Sequence, residues 1–530
     1  MVFSVYNYSV GAFMKYRILP SCVWTYPDIH DYKEASDKAS LLALRGGYAA
    51  FQIHITDASG DNITISPEGL SCELYLQVPI FVESCPGIET PIPHFPEREA
   101  PFYVNDCLKP IEGIAKTGVE STGLYIAVII PEDAPETIKG SIKISDERET
   151  ISVPVSITVS KCSLPPERLE IVMGISFPEI FKYHNVQSRE EFDSILTQYL
   201  SLLRRQHQTR LYVEPPREKF ENGKWTFDFT RFNNYIKKAL SMGFRTFNIG
   251  GIGFRRAWDA PDIYHYNIDL LSREGYLYLE QYLPALRQNL EENGWLDGNM
   301  IAVGVADEPN DINALSFRAL TGVVRKFLPE LKIYEATSSA PIFGALDIWI
   351  PRTDEYEENR EMFDHYKNAG DEIWHYVCLF PRENGYINRF MDIPLLSTRY
   401  LYWGNYKYGL TGYLHWTVNC YQADCDPFKL SCPRHVNAGS ESILPPGDDK
   451  LIYPGDDKRG WMSMRLENHR ESAEEYAMLA ILAEKDKPLA DSICEKVFHS
   501  FNSVEFDAKK FEDARRELIQ AYEKINNTGI

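Results

Sequence analysis

From about residue 17 to residue 162, apolar and polar residues alternate in short runs, as in "AAFQIHITDASGDNITIS", "LYIAVIIPEDAP" and "KGSIKISDERETISVPVSITVS". A period of two, broken by Gly, Pro, Asp and Asn, predicts strands joined by turns. Helical spacing occurs only near residues 31 to 45. Together these runs predict a β-sandwich domain over residues 1–163. The proline pair in "KCSLPPERLE" then marks a change of pattern.

Beyond it, apolar runs fit for buried strands alternate with helical periods. "LEIVMGISF" is the first such strand, and in "REEFDSILTQYLSLL" Phe192, Ile195, Leu196, Tyr199, Leu200 and Leu203 fall on one helical face. "RLYVEP", "RTFNIGGIG", "MIAVGVADEP", "KIYEATSS", "LDIWIPR", "EIWHYVCLFP" and "GYLHWTVNCY" follow as strands two to eight. Eight β/α alternations within roughly 250 residues predict a (β/α)8 TIM-type barrel. The fold class is therefore α/β plus all-β: an N-terminal β-sandwich (1–163), a catalytic barrel (164–480) and a C-terminal helical extension (481–530).

Composition narrows the classes of function. Net charge is −21, which argues against nucleic acid or an anionic membrane as the main partner. No apolar run reaches the length of a membrane span, and the first twenty residues lack the basic and apolar blocks of a secretory signal. An intracellular protein is expected, or an exported one whose leader is absent from this chain. The ten cysteines form no repeated framework and are expected to be mostly free thiols. Cys420, Cys425, Cys432 and His435 cluster locally, but their spacing misses the paired knuckles of zinc sites, so a thiol-bearing loop is expected and no metal. Nothing in the sequence calls for a cofactor. Aromatics reach 13%, more than cores ordinarily need, which suits a site for flat or sugar-like ligands.

In "VGVADEPND" two neighbouring acids, Asp307 and Glu308, end the fourth strand. Barrel active sites lie at that end of the strands. Other strand ends carry Trp349, Trp374, Tyr376, Trp416 and Asn419, residues suited to stacking on a sugar or bonding its hydroxyls. Ordinary glycoside hydrolysis needs two carboxyls flanking the bond, about 5 to 9.5 Å apart. Adjacent residues are poorly placed for that. Either a second carboxylate lies elsewhere, with Glu335, Asp354 and Glu179 as candidates, or the substrate's own 2-acetamido oxygen is the nucleophile. The second route requires two close acids of unequal pKa, one ionised and one protonated.

The chain resembles glycoside hydrolase family 123 and the related domain-of-unknown-function 4091 proteins. The resemblance rests on "LLALRGGYAAFQIHI", "VADEP", "LDIWIPRTDEY", the block from "IWHYVCLFPRENGY" to "GYLHWTVNCY", and "LIYPGDDKRGWMSMRLENHRESAEEYAML". It implies a β-sandwich before a catalytic barrel, and exo-acting, retaining removal of terminal β-linked N-acetylhexosamine, N-acetylgalactosamine favoured, by substrate assistance. Asp307 then stabilises the acetamido group and Glu308 is the general acid/base. Tyr376 and Trp416 match aromatic positions around the sugar, and Asn419 a polar contact. Two other readings stand: a barrel glycosidase with a protein nucleophile such as Glu335, or an inactive carbohydrate-binding protein on the same scaffold. The long loop 421–450 is expected to shape the pocket.

Overall fold

The structure is a computed structural model that describes residues 13–527 apart from 89 and 423–424. Residues 1–12, which open the expected first domain and the stretch read for a leader, lie outside the described residues, as do 528–530.

Two five-stranded sheets form the N-terminal sandwich. One runs in the order Lys15–Pro20, Tyr48–Thr56, Ser121–Ile129, Cys72–Val82, Phe102–Pro110. The other runs Ala39–Arg45, Thr150–Ser163, Thr137–Ser145, Asn62–Glu68, Ile114–Lys116. Thr150–Ser163 shows the cause: Val153, Val155, Ile157 and Val159 are buried while Ser152, Pro154, Ser156 and Thr158 between them face out. They meet Ile53, Ile55, Ile126 and Val128 from the facing sheet. The helical spacing near 31 to 45 is overruled here. Ala39–Arg45 is an edge strand, pairing parallel to Thr150–Ser163, with Ala39 and Ala43 buried in the sandwich core.

Eight parallel strands then close a barrel: Glu170–Met173, Arg210–Val213, Thr246–Ile249, Ile301–Val303, Lys332–Glu335, Ile348–Trp349, Glu372–Tyr376 and Gly412–His415. The first pairs with the last, Glu170 against Gly412 through Met173 against His415. All eight coincide with the expected apolar runs. Helices pack outside, starting with Arg189–Arg205, whose Ser188 cap accepts from the Glu191 N–H and whose face buries Ile195, Leu196, Tyr199, Leu200 and Leu203. After the fifth strand there is only a 3-10 turn, Ala340–Ile342, in place of an α-helix.

Helix Met464–Glu495 runs through position 480, so the chain does not break there, although its backbone leaves helical values at Asp486. Its N-terminal half is charged yet buried, because the sandwich, the barrel helices and the C-terminal helix Ala508–Asn527 enclose it. Its acids meet Arg205, Arg399 and Arg515, at 2.7 Å for Glu467–Arg205 and 2.5 Å for Glu475–Arg399. Fully buried pairs of this kind hold only when both partners are present. Among the described residues no helix is long and apolar enough to cross a membrane.

Extra hairpins rise on the side where the strands end. They are Arg217–Glu221 with Lys224–Asp228, Tyr264–His265 with Ile268–Asp269, and Arg434–Asn437 with Ser440–Ile443. Of the three, the hairpin at 434–443 lines the cavity at the barrel mouth.

Candidate active site

A cavity of about 990 Å³ opens at the C-terminal ends of the strands. Asp307 and Glu308 sit in it just after the fourth strand, Glu335 at the end of the fifth, Tyr376 at the end of the seventh with Cys378 beyond it, and Trp416 just after the eighth. The hairpin at 434–443 supplies one wall through His435, Asn437 and Ser440, so the long loop does shape the pocket. Gly174 lets the first and eighth strand ends close up, since a Cβ there would lie 2.1 Å from the Trp416 carbonyl oxygen.

The three acids are arranged unequally. Asp307 is open to water in the cavity but walled by protein, with Tyr212 and Tyr334 close by, and this burial raises its pKa while Arg255 lowers it. Glu308 is pushed up to about 7, first by burial and then by the neighbouring Asp307 charge. The Tyr376 hydroxyl donates to Glu308 Oε1 at 2.7 Å and pulls partly the other way. Glu335 is completely enclosed and its pKa lies well above the ordinary carboxylate range, because burial and Asp307 outweigh the bonds it accepts. Those bonds come from the Val305 and Ala306 N–H groups, at 2.6 and 3.0 Å, so Glu335 braces the strand end that presents Asp307. Burial thus pushes all three carboxyls towards their protonated forms, and Arg255 opposes it at each.

Glu308 also has a backbone φ of +44°, a left-handed conformation that side-chain-bearing residues seldom take. The turn aims its carboxyl across the mouth towards Tyr376. Arg255, 8% exposed, stacks at 4.5 Å on Trp258, and its charge favours ionisation of all three acids. Trp258 is held in turn by a 3.1 Å bond to the Asn437 carbonyl.

Of the expected contacts, the cavity gathers Asp307, Glu308, Glu335, Tyr376 and Trp416. Three lie elsewhere. Trp349 points outward into the helix layer, 4.7 Å from Tyr366, with its indole N–H on Asp371. Trp374 points into the barrel but below the mouth, under Arg210 and opposite Gly412. Asn419 is buried and closes the barrel seam, accepting from the Ser176 N–H at 2.8 Å and donating to its carbonyl at 3.0 Å. Asp354 is paired with Arg352 at 2.9 Å, and Glu179 is half-buried outside the cavity wall. The residues missed are Arg255, Trp258, Cys378 and Asp448, all on irregular chain without a period to reveal them. Among the described residues Cys22, Cys72, Cys85, Cys107, Cys162, Cys378, Cys420, Cys432 and Cys494 are free thiols. Among the described residues no three His, Cys, Asp or Glu side chains are grouped to hold a metal, and Cys432 turns away to the Ser84 carbonyl.

A closed (β/α)8 barrel whose mouth joins paired carboxyls to aromatic walls defines a glycoside hydrolase of the barrel type. The chain belongs to glycoside hydrolase family 123: the family description "Glycoside hydrolase 123, catalytic domain" matches residues 207–482. Its fold is similar to that of a family 123 glycoside hydrolase from Clostridium perfringens studied for glycolipid glycan hydrolysis. The TM-score is 0.74 and the identity 14%, over 97% of this chain and 98% of that one. A family 39 glycoside hydrolase from Bacteroides cellulosilyticus WH2 matches at a TM-score of 0.38 and 10% identity, over 83% and 82% of the two chains. No curated protein matches by sequence.

Proposed function

We propose that this glycoside hydrolase removes a terminal β-linked N-acetylhexosamine, N-acetylgalactosamine favoured, by an exo-acting, retaining, substrate-assisted mechanism. The observation that carries the reading is the unequal acid pair: Glu308 is held near pH 7 by burial and by Asp307 directly beside it. A general acid works best with a pKa near the working pH. Glu308 protonates the leaving oxygen as the acetamido oxygen of the substrate closes on the anomeric carbon. Asp307 bonds the acetamido N–H and balances the charge that develops on the oxazolinium ring. Glu308, now ionised, takes a proton from the water that opens the ring, and the anomeric configuration is restored.

The protein-nucleophile reading loses support at Glu335. Its Oε1 is occupied by two backbone N–H groups, and burial favours its neutral form, which is a poor nucleophile. The test pairs para-nitrophenyl β-glycosides of both N-acetylhexosamines with the same sugars lacking the acetamido group, and adds a thiazoline inhibitor. Turnover confined to the acetamido sugars, with thiazoline inhibition, is expected. Equal turnover of both kinds of sugar would sink the assisted mechanism. Sugar binding without any turnover would favour the binding-protein reading.

A further inference from the structure

Two acids of the mouth accept hydrogen bonds from the protein at one oxygen: Glu335 Oε1 from the strand backbone and Glu308 Oε1 from Tyr376. Asp449, on the loop behind the mouth, is filled by Lys450 at 2.9 Å. Its neighbour Asp448 is different. It is completely buried yet forms part of the cavity wall. Oδ1 accepts from Arg389 Nη2 at 2.5 Å, while Oδ2 has no hydrogen-bond partner.

The carboxylate is not free to turn and find one. Arg389 is itself buried, with Nη1 donating to the Val377 carbonyl and to Asn388 Oδ1, both at 3.0 Å, and Nε 3.1 Å from His415 Nε2. Arg382, the other cation whose charge reaches Asp448, spends its donors on the carbonyls of Leu379, Pro86 and Ile443. A buried acceptor held rigid with an open lone pair is costly unless something else fills it.

The surroundings indicate what does. Trp416 faces the same part of the cavity, and its indole N–H, directed at the Asp448 carboxylate, favours the charged form. Cys378 lines the same cavity, and the charges of both Asp448 and Glu308 raise its thiol pKa. An indole face takes an apolar C–H surface, and an acceptor takes an O–H. A sugar ring brings both together. We propose that Asp448 reads the innermost sugar, Oδ2 accepting a hydrogen bond from one ring hydroxyl of the unit lying against Trp416, with Arg389 as the positioning residue behind it. This assignment rests on the glycosidase reading of the cavity and adds to it the residue that discriminates among sugars.

The experiment compares wild type with Asp448→Asn on the para-nitrophenyl N-acetylhexosaminide and its 3-, 4- and 6-deoxy forms. A hydrogen bond to a charged group predicts that wild type loses roughly 10- to 100-fold in kcat/KM on one deoxy sugar. Asp448→Asn should show a similar loss on the parent sugar and little further loss on that deoxy form. Equal losses for wild type and variant on all three deoxy sugars would overturn the assignment. Should the variant fail to fold because the Arg389 charge is stranded, the double variant Arg389→Met with Asp448→Asn removes both charges and carries the same comparison. If wild type turns over none of these glycosides, the N-acetylhexosamine reading fails on its own. Asp448 is then tested by calorimetric binding of free monosaccharides and their deoxy forms: loss of discrimination in Asp448→Asn sustains the assignment, and unchanged discrimination refutes it.

Discussion

The bond from Tyr376 to Glu308 gives the sharpest test of the acid assignment. Removing the hydroxyl with Tyr376→Phe deletes a 2.7 Å donor that favours the charged carboxylate, and leaves the ring that packs within the barrel. A hydrogen bond to a charged group contributes about 1.5 to 3 kcal/mol. At 1.36 kcal/mol per pKa unit this is roughly one to two units. The sign is upward, because the lost bond stabilised the ionised form. Glu308 begins at about 7, so in the variant its proton is held to roughly pH 8 to 9. The assay is kcat/KM against pH on an acetamido arylglycoside, which reports the free enzyme. A general acid must be protonated, so wild-type activity should fall as pH rises through about 7, and that limb should move up in Tyr376→Phe. A limb that stays in place, or moves down, would refute the claim that Glu308 is the acid and Tyr376 its tuner.

Glu308→Gln should cost about 10²- to 10⁴-fold in rate on poor leaving groups and less on activated aryl groups, as loss of a general acid does; intact turnover on poor leaving groups would displace the role. Asn419→Ala removes both bonds across the barrel seam to Ser176 and should cost about 2 kcal/mol or more in denaturant unfolding, with KM little changed. A large rise in KM without loss of stability would return Asn419 to the sugar. His207 is raised to about 8, since Glu167 and Glu474 outweigh the opposing burial. Its contribution, about 2 kcal/mol, is fully present below about pH 6.5 and is lost as pH rises through about 8. His207→Gln should flatten the decline in melting temperature over that window, and an unchanged decline would show that other groups cause it.

The fold was legible because burial imposes a period. Barrel strands buried on both faces read as apolar runs, and the amphipathic helices between them read as 3.6-residue patterns. Position then led to Asp307 and Glu308, since a strand end is a functional place in this architecture. Trp349 and Trp374 failed for a related reason. Alternate residues of a barrel strand face the interior or the helices, and depth along the strand decides whether an inward residue reaches the mouth. Trp349 faces the helices. Trp374 faces inward but too low, at a level where Gly412 makes room for its indole, a Cβ there lying 2.3 Å from the ring. Neither register nor depth is written in a single strand of two to five residues. Asp448 and Arg255 escaped because their loops have no period, and what marks them is a neighbour: an arginine behind one and a tryptophan under the other. The segment near 31 to 45 was misread because its apolar residues Leu41 to Leu44 run together in a strand at the edge of the sandwich, without a clean period of two.

The left-handed backbone at Glu308 has a consequence for anyone who alters this protein. A side chain at that position costs the fold roughly 1 kcal/mol relative to glycine. Glu308→Gly would relieve that strain but leave the Tyr376 hydroxyl without its 2.7 Å acceptor and remove the carboxyl proposed as proton donor. Directed evolution here must be scored on turnover at every round, because a substitution that eases the backbone at this residue also takes away a carboxyl of the cavity.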